Sequence, residues 1–162
     1  ADDFHKAAIP FLDPEVYGRS IYENSSFIAS SKNPNAGFHG KGFVARLSGS
    51  TVEFIHMWSL MMFGLHPFTI KDGKLTLAFS PLIPSYLIGD EKRIEAAFLG
   101  KTKVIYHLEE KKDYIPEQYE VKRMQLCDKA GGRRTVEGGV LLEKDAEAVR
   151  SGGIDCIEVT IQ

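Results

Sequence analysis

The sequence predicts a mainly β protein: an antiparallel β-sandwich, jelly-roll-like, with an N-terminal loop segment and one buried α-helix. Three observations predict it. From residue 74 onward, apolar and polar residues alternate in short runs, the period of half-buried strands. Turn residues separate the runs, as at Lys71-Asp72-Gly73-Lys74 and Lys129-Ala130-Gly131-Gly132. Ahead of them stands an almost unbroken apolar run from Val52 to Phe63, opened by hydroxyls and closed by Gly64. The expected organisation is a loop-rich segment with the helix over 1–66, then a sandwich of about seven strands over 67–162.

Each element has its own reason. In residues 1–20, Pro10 and Pro14 argue against a long helix, and Asp13 can cap a short one with Pro14 at its first position. Residues 21–45 are rich in Ser, Asn, Gly and Phe and read as loop. Ser30 to Asn35 is a turn cluster, and His39-Gly40-Lys41-Gly42 is a polar loop. Loops of this length inside a compact domain are often functional. The alternative is a surface loop ordered by Phe27, Phe38 and Phe43 packing inward. Ser50 and Glu53 have the spacing of a capping box, with Ser50 as N-cap of a helix over about residues 50–63. A helix apolar nearly all round is buried, and this one is shorter than the roughly 20 residues a bilayer needs. His56 and Trp58 are therefore expected in the core.

Strands follow. Leu75, Leu77 and Phe79 share one face, and Pro81 and Pro84 bracket an irregular crossing. Ile94, Ala96 and Phe98 form the next inward face, then Val104, Tyr106 and Leu108, then a strand over 119–126. Residues 134–142 read as a strand pair or a strand bulged at Gly138-Gly139. Asp145 to Arg150 reads as a helical turn closed by Gly152-Gly153, and Ile157, Val159 and Ile161 form the last strand.

Composition narrows the function classes. The 162 residues are 43% apolar and 26% charged, with a net charge of −2, so bulk electrostatics points to neither nucleic acid nor membrane. Arg133-Arg134 beside Lys129 reads as a solvated turn. Glu109-Glu110, followed by two lysines, is a charged turn and not a catalytic pair. Cys127 and Cys156 have no metal or redox spacing; they are expected as free thiols in strands, with a disulfide between them left open. No metal or organic cofactor is expected. The acidic start carries no signal peptide, so a cytoplasmic location is expected. The first residue is Ala1, which suggests a processed chain or, preferably, an excised piece of a longer one.

The order of motifs carries a resemblance. Ser48-Gly49-Ser50 opens an apolar helix containing Trp58. Leu65-His66-Pro67, Asp72-Gly73-Lys74-Leu75, Pro81-Leu82-Ile83-Pro84, Phe98-Leu99-Gly100 and a closing Ile157-Glu158-Val159-Thr160-Ile161 follow. Over roughly residues 15–162 this resembles the C-terminal region of glycoside hydrolase family 94, the cellobiose and chitobiose phosphorylases and their cyclic-glucan-synthase relatives. Family 65 phosphorylases share the same plan. There a hydroxyl-glycine-hydroxyl turn opens the last helix of an (α/α)6 barrel, and a small β-sandwich follows. The turn here has serines where the family has threonines, and the barrel's general acid has no counterpart in this chain.

The resemblance implies a C-terminal fragment of a carbohydrate-active enzyme, inactive by itself, that braces an upstream (α/α)6 catalytic domain and forms one wall of its site. Inorganic phosphate would be the co-substrate and an oligosaccharide the substrate. A helix N-terminus offers unpaired N–H groups and partial positive charge. Arg46, Ser48, Gly49 and Ser50 would then hold phosphate, with His39 as a sugar contact. The rival for this turn is a plain capping box neutralised by Glu53. Two rivals concern the whole chain. One is a stand-alone carbohydrate-binding sandwich using Tyr86, Tyr106, Tyr114 and Tyr119. The other is a structural domain that buries its helix in a homodimer.

Overall fold

The computed structural model describes residues 2, 4, 5, 25–39, 42–45 and 49–162. The expected Asp13-capped helix lies outside them. The chain forms two compact units, Ala1–Trp58 and Ser59–Gln162.

In the first unit, two short strands occupy the stretch expected as loop. β1 (Ser25–Ile28) pairs antiparallel with β2 (Gly42–Ala45). Between them, the expected turn cluster holds. The Asn33 side chain accepts from the Asn35 amide at 2.9 Å, and the Asn35 side chain accepts from the Gly37 amide at 2.9 Å. The second of these caps a 3-10 turn, Ala36–Phe38. Phe38, one of the aromatics expected to pack inward, is 43% exposed. Phe4 is buried, stacked on Phe54 at 4.4 Å and tilted against Trp58 at 5.4 Å. Trp58 thus takes the packing role expected of it.

Helix α1 (Gly49–Phe63) forms where the apolar run predicts it. Its burial is graded. Val52 and Ile55 are 69% and 59% exposed, while Met61, Met62 and Phe63 are buried. His56 is exposed, which corrects the expectation of a core histidine. The exposed half precedes the turn that enters the core.

The second unit is the expected β-sandwich, with eight strands in two sheets. The first sheet is antiparallel: β3 (Phe68–Lys71), β4 (Lys74–Ala78) and β9 (Val140–Leu141), in the order β3-β4-β9. The second has the order β5-β6-β10-β7-β8, from β5 (Arg93–Phe98), β6 (Thr102–Leu108), β7 (Val121–Asp128), β8 (Arg133–Glu137) and β10 (Ile154–Ile161). Helix α2 (Glu143–Arg150) packs on β4, with Ala146 and Val149 buried.

Two details depart from expectation. β6 and β10 run parallel, while the other strand pairs among the described residues are antiparallel. Residues 134–142 form neither a hairpin nor one bulged strand. β8 pairs with β7 and β9 with β4, so the chain changes sheets at Gly138-Gly139. Gly138 has a φ of +81°, which suits a residue without Cβ at that corner.

Outside β4, where Leu75 is half-buried and Thr76 on the opposite face is buried, the inward faces are those the alternation names. Ile94, Ala96 and Phe98 are buried, as are Val104, Tyr106 and Leu108, and Ile157, Val159 and Ile161. An aromatic cluster joins the two sheets to the end of α1: Phe98 lies 4.7 Å from Phe63, 5.1 Å from Phe79 and 5.7 Å from Phe68. Buried polar groups are paired. Thr102 donates to the Ile154 carbonyl at 2.8 Å, and Arg134 pairs with the largely buried Asp145.

Candidate functional site

The N-terminal end of α1 is the site the sequence singles out. The helix starts at Gly49, so Ser50 lies in its first turn and not at the cap. The reciprocal carboxylate of a capping box belongs at the third helical position. With a start at Gly49 that position is Thr51, and Glu53 lies beyond it. No acidic residue occupies the first turn. Its leading N–H groups, which have no partner inside the helix, therefore face no carboxylate of that turn. Arg46 and Ser48 lie outside the described residues.

The other end of α1 is fixed by hydrogen bonds. The last four carbonyls of a helix lack intrahelical partners. Here the Leu60 carbonyl accepts from the Gly64 amide at 2.9 Å and the Met61 carbonyl from the Leu82 amide at 2.7 Å. The Met62 carbonyl accepts from the Tyr106 hydroxyl, and the Phe63 carbonyl from the Ser80 amide at 3.4 Å. Residues 80–82 and β6 thus clamp the C-terminal turn. Burial pushes the Tyr106 phenol well above its ordinary range, which keeps it a donor.

His39, expected as a sugar contact, is exposed beyond the 3-10 turn. Its Nε2–H donates to the Asn33 carbonyl at 2.8 Å, so one ring nitrogen closes the loop and the other is left for further contacts.

The tyrosines proposed as a sugar platform divide. Tyr106 and Tyr114 are buried. Tyr119 donates to the Pro81 carbonyl at 2.7 Å, and burial pushes its pKa up to about 12. Tyr86 is 47% exposed.

Sequence reasoning missed a polar hollow of about 380 Å3 on the outer face of the five-stranded sheet, lined by His107, Arg123, Gln125, Glu158 and Thr160. His107 Nε2–H donates to Glu158 Oε2 at 2.8 Å. The alternation places each of these residues on an outward face. It does not say that β6 and β10, some fifty residues apart, are neighbours.

Among the described residues no group of three or more His, Cys, Asp or Glu is placed to hold a metal ion, and no helix is long and apolar enough to cross a membrane. No family model matches the chain, and no curated protein matches it.

Proposed function

We propose that this chain is the C-terminal part of a cytoplasmic carbohydrate-active enzyme of the cellobiose phosphorylase type, in which the start of α1 holds inorganic phosphate. The supporting observation is the asymmetry of α1. The carbonyls of Met61, Met62 and Phe63 at its C-terminal end are engaged by residues 80–82 and β6, while its first turn carries no acidic residue. A helix start without a carboxylate in its first turn leaves its N–H groups and partial positive charge to an anion. In phosphorolysis a phosphate oxygen attacks the anomeric carbon while a carboxylic acid protonates the departing glycosidic oxygen. Gly49 allows close backbone approach, Ser48 and Ser50 add hydroxyl donors, and Arg46 adds charge. The acid comes from an upstream (α/α)6 domain, so the chain alone does not turn over substrate.

The test is sugar 1-phosphate release from oligosaccharides by the protein that contains this chain. Phosphate-dependent release is expected, with Ser48→Ala and Ser50→Ala raising the KM for phosphate. Release of free sugar with no phosphate dependence overturns the reading. A native gene product no larger than this chain also overturns it. A stand-alone sugar-binding sandwich is the second reading, favoured by the polar hollow at His107 and Glu158. Oligosaccharide binding by the chain, lost in Glu158→Ala, would support that reading.

A further inference from the structure

Cys127 and Cys156 are free, and they stand directly opposite each other on the antiparallel strands β7 and β10. Partners in register share a face. Their neighbours Leu126 and Ile157 are buried in the core, so both thiols lie on the outer face, where each is partly exposed. The Asp128 amide bonds Gly132 on the β8 side, so the amide of Cys127 turns toward β10. That makes Cys127 and Cys156 a hydrogen-bonded pair, with Cα atoms about 5.5 Å apart. Disulfides form across about 4.4–6.8 Å. The register of β10 shifts between Ile154 and Cys156, beside the pair. Such an irregularity lets the strand yield locally as the sulfurs close.

From this juxtaposition we propose that Cys127 and Cys156 form a reversible redox site that takes low-molecular-weight disulfides as oxidant and closes to an intramolecular disulfide. It stands independently of the phosphorylase reading. Cys156 is the resolving residue: burial, with the Cys127 and Glu158 charges, raises its thiol pKa against the pull of the Lys103 ammonium. Cys127 is the attacking residue, and it stands in register with Arg133 of β8. The Cys127 thiolate attacks one sulfur of the oxidant, breaks its S–S bond and releases one thiolate. Cys156 then loses its proton to water and attacks Cys127 Sγ of the mixed disulfide, releasing the second. The protein loses two electrons and two protons, and the oxidant is reduced to two thiols. Cross-strand Cβ atoms in a hydrogen-bonded pair stand at the wide end of the range, about 5.5 Å apart, against the 3.5–4.5 Å a relaxed disulfide prefers, so the bond is strained and easily reduced.

The experiment treats the full chain with oxidised glutathione and follows intact mass and thiol titration. The expected product is a monomer lighter by two hydrogens, with both titratable thiols lost, one linked peptide containing Cys127 and Cys156, and recovery on adding dithiothreitol. Glutathione adducts on single cysteines with no linked species, or links only between chains, overturn the proposal. In Cys156→Ser the adduct should persist on Cys127 and form faster than the adduct on Cys156 in Cys127→Ser. The reverse order overturns the assignment of roles. The wild-type measurement depends on neither variant folding.

Discussion

The Tyr106 hydroxyl shows what one polar atom does in this fold. The ring is buried in the sandwich, and its oxygen meets the Met62 carbonyl at the end of α1. Tyr106→Phe keeps the ring and leaves that carbonyl without its donor. A buried acceptor stripped of its partner costs about 1–3 kcal/mol. Urea unfolding of the variant should show a loss in that range with an unchanged slope. Asp113 acts differently, because it is exposed. It accepts from the Ser85 amide at 2.7 Å, and the Ser85 backbone and hydroxyl together hold its carboxyl below the ordinary 3.8. A depressed folded-state pKa contributes stability that is fully present above the unfolded value and is lost as pH falls through the folded one. The gap in stability between wild type and Asp113→Ala should therefore be constant above pH 5 or so and shrink below 3.8. Thermal melts of the two proteins across that range test the sign, and a gap that widens in acid would contradict it.

At the scale of elements, two glycines separate backbone conformation from contact. Gly64 ends α1 with a φ of +84°, and a Cβ there would stand 3.1 Å from the Ser80 Cβ and 3.3 Å from the Ser80 carbonyl oxygen. Gly73 follows Asp72 in the two-residue turn between β3 and β4, with φ values of +51° and +75°, and no described atom lies within 4 Å of its would-be Cβ. Gly73→Ala should cost only the left-handed backbone term, about 1–2 kcal/mol. Gly64→Ala should cost more, because Ser80 must also move away from the hydrogen bond it gives to Phe63. Equal losses in denaturant unfolding would mean that the Ser80 contact yields freely. These turns also mark what the sequence made legible. Asp-Gly and the helix-terminating Gly64 are local chemistry, and they fell where expected. So did the inward faces of β5, β6 and β10, because alternation is local too. β3 is legible in Phe68-Thr69-Ile70 ahead of the Asp-Gly turn. β1 and β2 were hidden because their apolar pairs sit among Ser, Asn and Gly. The parallel pairing of β6 with β10 and the change of sheet at Gly138-Gly139 are long-range choices, which no local pattern encodes. For the same reason the outward residues were readable singly, but the His107–Glu158 hollow and the Cys127–Cys156 pair were not.

For the whole molecule, the question is where the sandwich begins. The resemblance to a barrel followed by a sandwich implies a boundary at 66/67, after the helix. The second compact unit starts at Ser59 and so takes in the last turn of α1. Met61, Met62 and Phe63 are buried, and Phe63 stacks into the aromatic cluster with Phe79 and Phe98. Burying a side chain of this size stabilises by about 1.5–3 kcal/mol, so the three together contribute roughly 5–9 kcal/mol. That is comparable to the entire stability of an ordinary domain, about 5–15 kcal/mol. A chain cut to begin at Ser59 should therefore fold, with a cooperative melt and dispersed amide resonances. One cut to begin at Pro67 should be unfolded or collapsed without fixed packing, because Tyr106 loses its acceptor and Phe98 and Phe79 lose Phe63. If the shorter piece folds as well as the longer one, the helix end is an attachment to the sandwich. If only the longer one folds, the end of α1 is part of the sandwich core.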